Sequence, residues 1–165
     1  YLSGATEEQY MNLVADAMIP YLEASGIEYT RNKPEMSLTE VINQSNSDDY
    51  DLHIALHSNA SPESLAGQLQ GTDVYYWYNS VPGEYFAEIL ADNFKSIYPN
   101  PQKVKTVPTQ TLRELRRTIA PSALIEIAYH DNPEDEKFIK ENIDEIAKTI
   151  VRSIAEYFEI PFVEP

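Results

Sequence analysis

Tyr50-Asp-Leu-His-Ile-Ala-Leu-His57-Ser-Asn-Ala60 is the stretch whose reading decides the fold. Leu52, Ile54 and Leu56 alternate with His53, Ala55 and His57, the two-residue period of a strand. One face is aliphatic; the other carries two histidines and an alanine. Helical patterns flank the stretch, so it reads as part of a mostly parallel sheet covered on both faces. In such sheets ligands bind beyond the carboxyl ends of the strands. His57 stands at that end, followed by Ser58 and Asn59. His53 lies four residues earlier, roughly 13 Å away at strand rise, too far to share an ion with His57. It reads as a hydrogen-bonded core histidine.

Upstream, Tyr1 to Ala5 read as loop. Thr6-Glu-Glu-Gln9 has the form of a capping box. Met11, Val14, Ala15, Met18 and Leu22 then recur at helical spacing to about Ala24, with Pro20 expected to kink or divide the helix. Ile27 to Arg31 reads as a strand, and Leu38 to Asn46 as a short helix with Val41 and Ile42 inward. Downstream, Ala60 to Gly71 is a polar loop long enough to line a site. Thr72 to Tyr78 is an aromatic strand, its Tyr75, Tyr76, Trp77 and Tyr78 read as sheet packing. Gly83 to Tyr98 is an amphipathic helix facing inward through Phe86, Leu90 and Phe94. Lys103 to Pro108 is a short strand, and Leu112 to Arg117 a charged strand or turn holding Arg113, Arg116 and Arg117. The final pattern, Pro133 to Phe158, reads as one long helix. Strands alternating with helices define an α/β class: a single domain with a mostly parallel twisted sheet and helices on both faces.

The 165 residues suffice for one full core. A formal charge of −15 argues against nucleic acid as a partner and against docking on anionic lipid by charge. There are no cysteines, which excludes thiolate zinc sites and disulfides. No window approaches a membrane span. The sequence opens on Tyr1 with no signal peptide, so any targeting segment is expected upstream.

Ala123-Leu-Ile-Glu-Ile-Ala-Tyr129 is the second unusual stretch, an apolar strand with Glu126 at its centre. A lone carboxylate there is costly to bury. It is either paired or aimed into a cleft with a raised pKa, as suits a general base. The cleft is the expectation.

Taken together, these stretches resemble the zinc-dependent N-acetylmuramoyl-L-alanine amidases of the type 3 family. The resemblance runs over nearly the whole chain. It rests on Glu8 followed four residues later by Asn12, and on Leu22 to Gly26 leading to Thr30-Arg31. It continues in Asp51 to Ala60, where the family has a strand ending in His-x-Asn-Ala, and in Gly71 with the strand after it. Pro121-Ser-Ala-Leu-Ile-Glu126 and Asn132-Pro-Glu-Asp135 complete it.

The resemblance implies hydrolysis of the amide between N-acetylmuramic acid and the first alanine of the peptidoglycan stem. It implies zinc as cofactor, Glu8 and His57 as zinc ligands, and Glu126 as the catalytic carboxylate. Asn59, Arg116, Arg117 and His130 are candidate substrate contacts, with Arg116 or Arg117 holding a stem-peptide carboxylate. Residues 1–165 are then an amidase catalytic domain lacking the family's first strand and the zinc-ligand histidine that closes it. Peptidoglycan or muropeptides are the expected partners of a monomer working in the cell wall or outside the cell, with no nucleic acid and no membrane. The rival expectation is a catalytically degenerate domain of the same fold that binds wall fragments or a protein partner.

Overall fold

The strand carrying His57 finds its partner late in the sequence. In the computed structural model, which describes residues 6–165, β1 (His53–Asn59) pairs in parallel with β4 (Ser122–Tyr129). Beyond β4 lie β2 (Thr72–Trp77), antiparallel to it, and β3 (Val104–Thr109), parallel to β2. The order β1-β4-β2-β3 makes a mostly parallel sheet in a single α/β domain. The expected loop Tyr1 to Ala5 lies outside the described residues.

Six α-helices lie among the described residues: α1 (Glu7–Ala24), α2 (Leu38–Asn46), α3 (Val81–Phe94), α4 (Arg113–Arg117), α5 (Pro133–Glu141) and α6 (Ile143–Phe158). The two faces of the sheet are covered unequally. Ile54, Leu56, Val74, Ile125 and Ile127 meet a deep core in which Phe86, Leu90 and Phe94 of α3 and Ile146 and Ile150 of α6 are fully buried. Each such side chain contributes roughly 1.5–3 kcal/mol by leaving water. The opposite face has a thin cover. There Ala55 and Leu124 pack with Leu115, Tyr75, Trp77 and Leu112, and the short α4 lies on the sheet with α2 beside it. A cleft can therefore open on this side.

Four expectations change. Pro20 lies inside α1 without dividing it, because Met18 and Leu22 on either side are buried on one packed stripe. Ile27 to Arg31 joins no strand; Arg31 instead binds Asp16 at 2.5 Å and the carbonyl of Asn12 at 3.2 Å, which holds the segment against α1. Leu112 to Arg117 forms a helical turn, not a strand. The predicted long helix breaks at Asn142, whose side-chain amide donates to the carbonyl of Phe138 at 2.9 Å and so closes α5.

The strand ends are fixed by Asp135, a carboxylate only 2 % exposed. Its Oδ2 accepts the N–H groups of Gly71 (3.0 Å) and Tyr129 (2.9 Å), and its Oδ1 accepts the Tyr98 hydroxyl. One side chain from α5 thus ties the start of β2, the end of β4 and the segment after α3. Gly71 has φ +125, and a Cβ there would lie 2.4 Å from the Lys103 carbonyl oxygen, so only glycine fits. Asp135→Ala strands three buried donors and should cost about 3–5 kcal/mol in urea denaturation. Asp135→Asn should cost less, about 1–2 kcal/mol, because its oxygen still accepts both N–H groups and its amide donates to Tyr98.

Candidate functional site

The site follows from strand register. His57 of β1 stands opposite Glu126 of β4, and Glu126 stands opposite Asp73 of β2. Side chains in register share a face, so these three form a row on the thinly covered side. The next row is Ala55, Leu124 and Tyr75. A cleft of about 380 Å³ runs along this face, lined by His57, Glu126, Leu124, Leu38, Leu112 and the α4 residues Arg113 and Glu114. Glu126 therefore points into a cleft, as its place in an apolar strand suggested.

Among the described residues no partner satisfies the buried Oε2 of Glu126. Burial raises its pKa to about 7, against the pull of His57 and with smaller help from Glu7 and Asp73. A carboxyl poised there exchanges protons near neutrality. Asp73 is also raised, by burial, with Lys105 opposing.

Glu7, in the first turn of α1, meets His57 with its Oε1 3.5 Å from Nδ1. The Glu7 carboxyl is held below its usual range by His57, against burial, with help from the Ser58 N–H. His57 is raised, first by Glu7, against burial, and then by Glu126. The Ser58 N–H donates to the same Glu7 oxygen at 3.0 Å and fixes the carboxylate. Ser58 is itself buried, and its hydroxyl is hydrogen-bonded to His130 Nδ1 at 2.7 Å. A register shift allows this: two steps from His57 to Asn59 match three from Glu126 to Tyr129. The extra residue bulges the end of β4 beside β1, where the His130 N–H donates to the Asn59 carbonyl at 2.8 Å.

Several predicted site residues sit elsewhere. Glu8 is exposed and does not meet His57; Glu7 takes that place. The sequence held the signal. Glu7 lies four residues before Met11 and seven before Val14, on the buried stripe, whereas the step from Glu8 to Asn12 follows the face that meets Arg31. Asn59 closes a turn, its Oδ1 accepting the Ala60 N–H. Arg116 lines a separate pocket of about 220 Å³ with Trp77 and Ile119, and Arg117 is exposed with its carbonyl held by Asn46. Neither lines the cleft of His57 and Glu126; Arg113 does. The Ala60 to Gly71 loop does not line that cleft either. Gly67 and Ser61 bind it to Asp131, and Gln70 to Asn132. His53 is the core histidine expected, bonded through Nε2 to Glu114 at 2.6 Å.

Residues 2–156 match the family model Amidase_3, described as N-acetylmuramoyl-L-alanine amidase. The chain belongs to this family. Solved structures agree with it in fold. The N-acetylmuramoyl-L-alanine amidase AmiC2 of Nostoc punctiforme is 20 % identical, with a TM-score of 0.84 over 96 % of this chain and 87 % of that one. The catalytic domain of the CD27L endolysin, which targets Clostridia difficile, is 25 % identical, with a TM-score of 0.76 over 94 % and 87 %. The CwlD amidase of Clostridioides difficile, solved in complex with the GerS lipoprotein, is 17 % identical, with a TM-score of 0.79 over 96 % and 91 %. No curated protein matches the chain.

The raised pKa of Glu126 has a consequence for stability. Without metal, the folded protein holds this proton up to about pH 7, while the unfolded chain releases it near 4.5. The protonated carboxyl thus favours the fold fully below about pH 4.5, and this contribution is lost as pH rises through 7. Glu126→Gln keeps the neutral form. It should match the wild type near pH 4.5 and exceed it by about 1–3 kcal/mol at pH 8, measured by urea denaturation of the metal-free proteins.

Proposed function

We propose that this chain is a peptidoglycan hydrolase that cleaves the amide between N-acetylmuramic acid and the L-alanine of the stem peptide. Residues 1–165 then act as an amidase catalytic domain, on peptidoglycan or muropeptides, in the cell wall or outside the cell. One observation carries the reading beyond family membership. Glu126 presents a proton-exchanging carboxyl, its Oε2 without a partner among the described residues, into a cleft beside His57.

Zinc is the cofactor this reading requires. In a tetrahedral site with arms of 2.0–2.1 Å, two donor atoms stand about 3.4 Å apart. Glu7 Oε1 and His57 Nδ1, 3.5 Å apart, match that edge, and an anionic oxygen with an imidazole nitrogen suits zinc. They would hold two of its positions, with Glu7 in the role first expected of Glu8. Among the described residues no group of three such side chains could hold a metal ion. When bound, zinc supplies Lewis acidity toward the scissile carbonyl and toward water.

The chain's own groups do the rest. Glu126 takes a proton from water as its oxygen bonds to the carbonyl carbon. The carbon–nitrogen bond breaks, and Glu126 returns the proton to the leaving nitrogen. Its pKa of about 7 suits both transfers. The Ser58 N–H orients Glu7, and the Ser58–His130 bond steadies Ser58 in turn.

A second reading has a specific support, since only two donors are gathered among the described residues. It is a degenerate domain that binds wall fragments or a protein, as the CwlD amidase does in its complex with a lipoprotein. The two readings predict different outcomes. For the enzyme, the protein supplied with zinc cleaves a muramoyl peptide at this amide. Glu126→Gln then lowers kcat by about 10²–10⁴-fold with zinc content per chain unchanged, whereas His57→Ala loses the zinc. Binding of the muramoyl peptide without cleavage, at every zinc concentration, would establish the second reading instead.

A further inference from the structure

Within the proposed amidase reading, the cleft has an electrostatic problem that one residue answers. The chain carries a formal charge of −15, and Glu126 and Glu114 line the cleft while Glu7 lies beside it. A stem peptide bearing carboxylates is repelled from such a surface. Among the described residues Arg113 is the only lysine or arginine lining the cleft.

We propose that Arg113 recognises a carboxylate of the stem peptide and sets the enzyme's preference for substrates in which that group is free. Among the described residues its guanidinium is held by a single hydrogen bond, Nη2 to the Thr39 hydroxyl of α2 at 3.0 Å, which leaves most of its donors for a ligand. Among the described residues it enters no ion pair. Its neighbour Glu114 does not consume it, because that carboxylate is bonded to His53 beneath α4 at 2.6 Å. The same bond anchors the turn from which Arg113 projects, as does the buried Leu115. Leu38, Leu112 and Leu124 line the cleft beside it, a surface for the peptide's aliphatic atoms. The scissile amide then lies at His57 and Glu126, and the charged group further along the stem lies at Arg113. A guanidinium and a carboxylate meet as paired, charge-assisted hydrogen bonds that a carboxamide cannot reproduce.

The test uses the peptide that amide cleavage would release, once with a free carboxylate on its second residue and once with that group as a carboxamide. Calorimetry should show the wild type preferring the carboxylate by roughly ten- to a hundredfold in Kd. Arg113→Gln should bind both peptides alike, and Arg113→Lys should regain part of the preference. In turnover of the matching muramoyl peptides, Arg113→Gln should raise KM for the free carboxylate alone and leave kcat near the wild-type value. Equal binding of both peptides by the wild type, or a preference that survives Arg113→Gln, overturns the assignment while muramoyl-peptide cleavage keeps the amidase reading. Binding of neither peptide, together with no cleavage of any muramoyl peptide, overturns both.

Discussion

Parallel pairing of β1 with β4 is the constraint on which the rest depends. It sets His57 against Glu126 with no intervening loop to loosen them. Carboxylate and imidazole are held by backbone hydrogen bonds, and their mutual geometry is as rigid as the sheet. The antiparallel neighbour β2 adds Asp73 to the same row. What remains adjustable is what approaches from outside: α1 with Glu7, α4 with Arg113 and Glu114, and the turn after β4 with His130.

The difference between the two faces makes this useful. On one side Phe86, Phe94, Ile146 and their neighbours build a full core. That core stabilises the sheet and leaves the other side free to be thin. There, stability is given up for access. Among the described residues Glu126 Oε2 is buried with no partner, a cost tolerated because the apolar half of the sheet supports it. Imperfect satisfaction of a polar group on a strongly packed scaffold is the physical mark of a site.

Much of this was legible in the sequence. Alternation in Leu52 to His57 gave a strand with two unlike faces, and Glu126 in an apolar run announced its own exception. Periodicity located α1, α2, α3 and the buried stripe of α6. What escaped reading was tertiary in origin. The partner of His53 is Glu114, sixty-one residues away, and no local pattern links them. Only the register with β4 and the cover of α4 decide that Arg113, not Arg116, faces the cleft. The nearness of Glu7 to His57 was recoverable, since the spacing to Met11 and Val14 places Glu7 on the packed stripe, whereas the step from Glu8 to Asn12 follows another face of α1. Asn142 broke a helix whose apolar stripe continues on both sides, because its own amide satisfied the carbonyl that an extended helix would have used.

The strand order also carries a consequence for biosynthesis. Among the described residues β1 pairs with β4 alone, and β4 lies between β1 and β2. A ribosome therefore releases β1 long before its neighbour exists, and the β2–β3 pair waits with an open edge. Such distant pairing makes folding slow. It also means that His57 and Glu126 come together in one late step, when residues 122–129 enter the gap. A chain that stops before residue 122 therefore lacks the strand that sets Glu126 against His57.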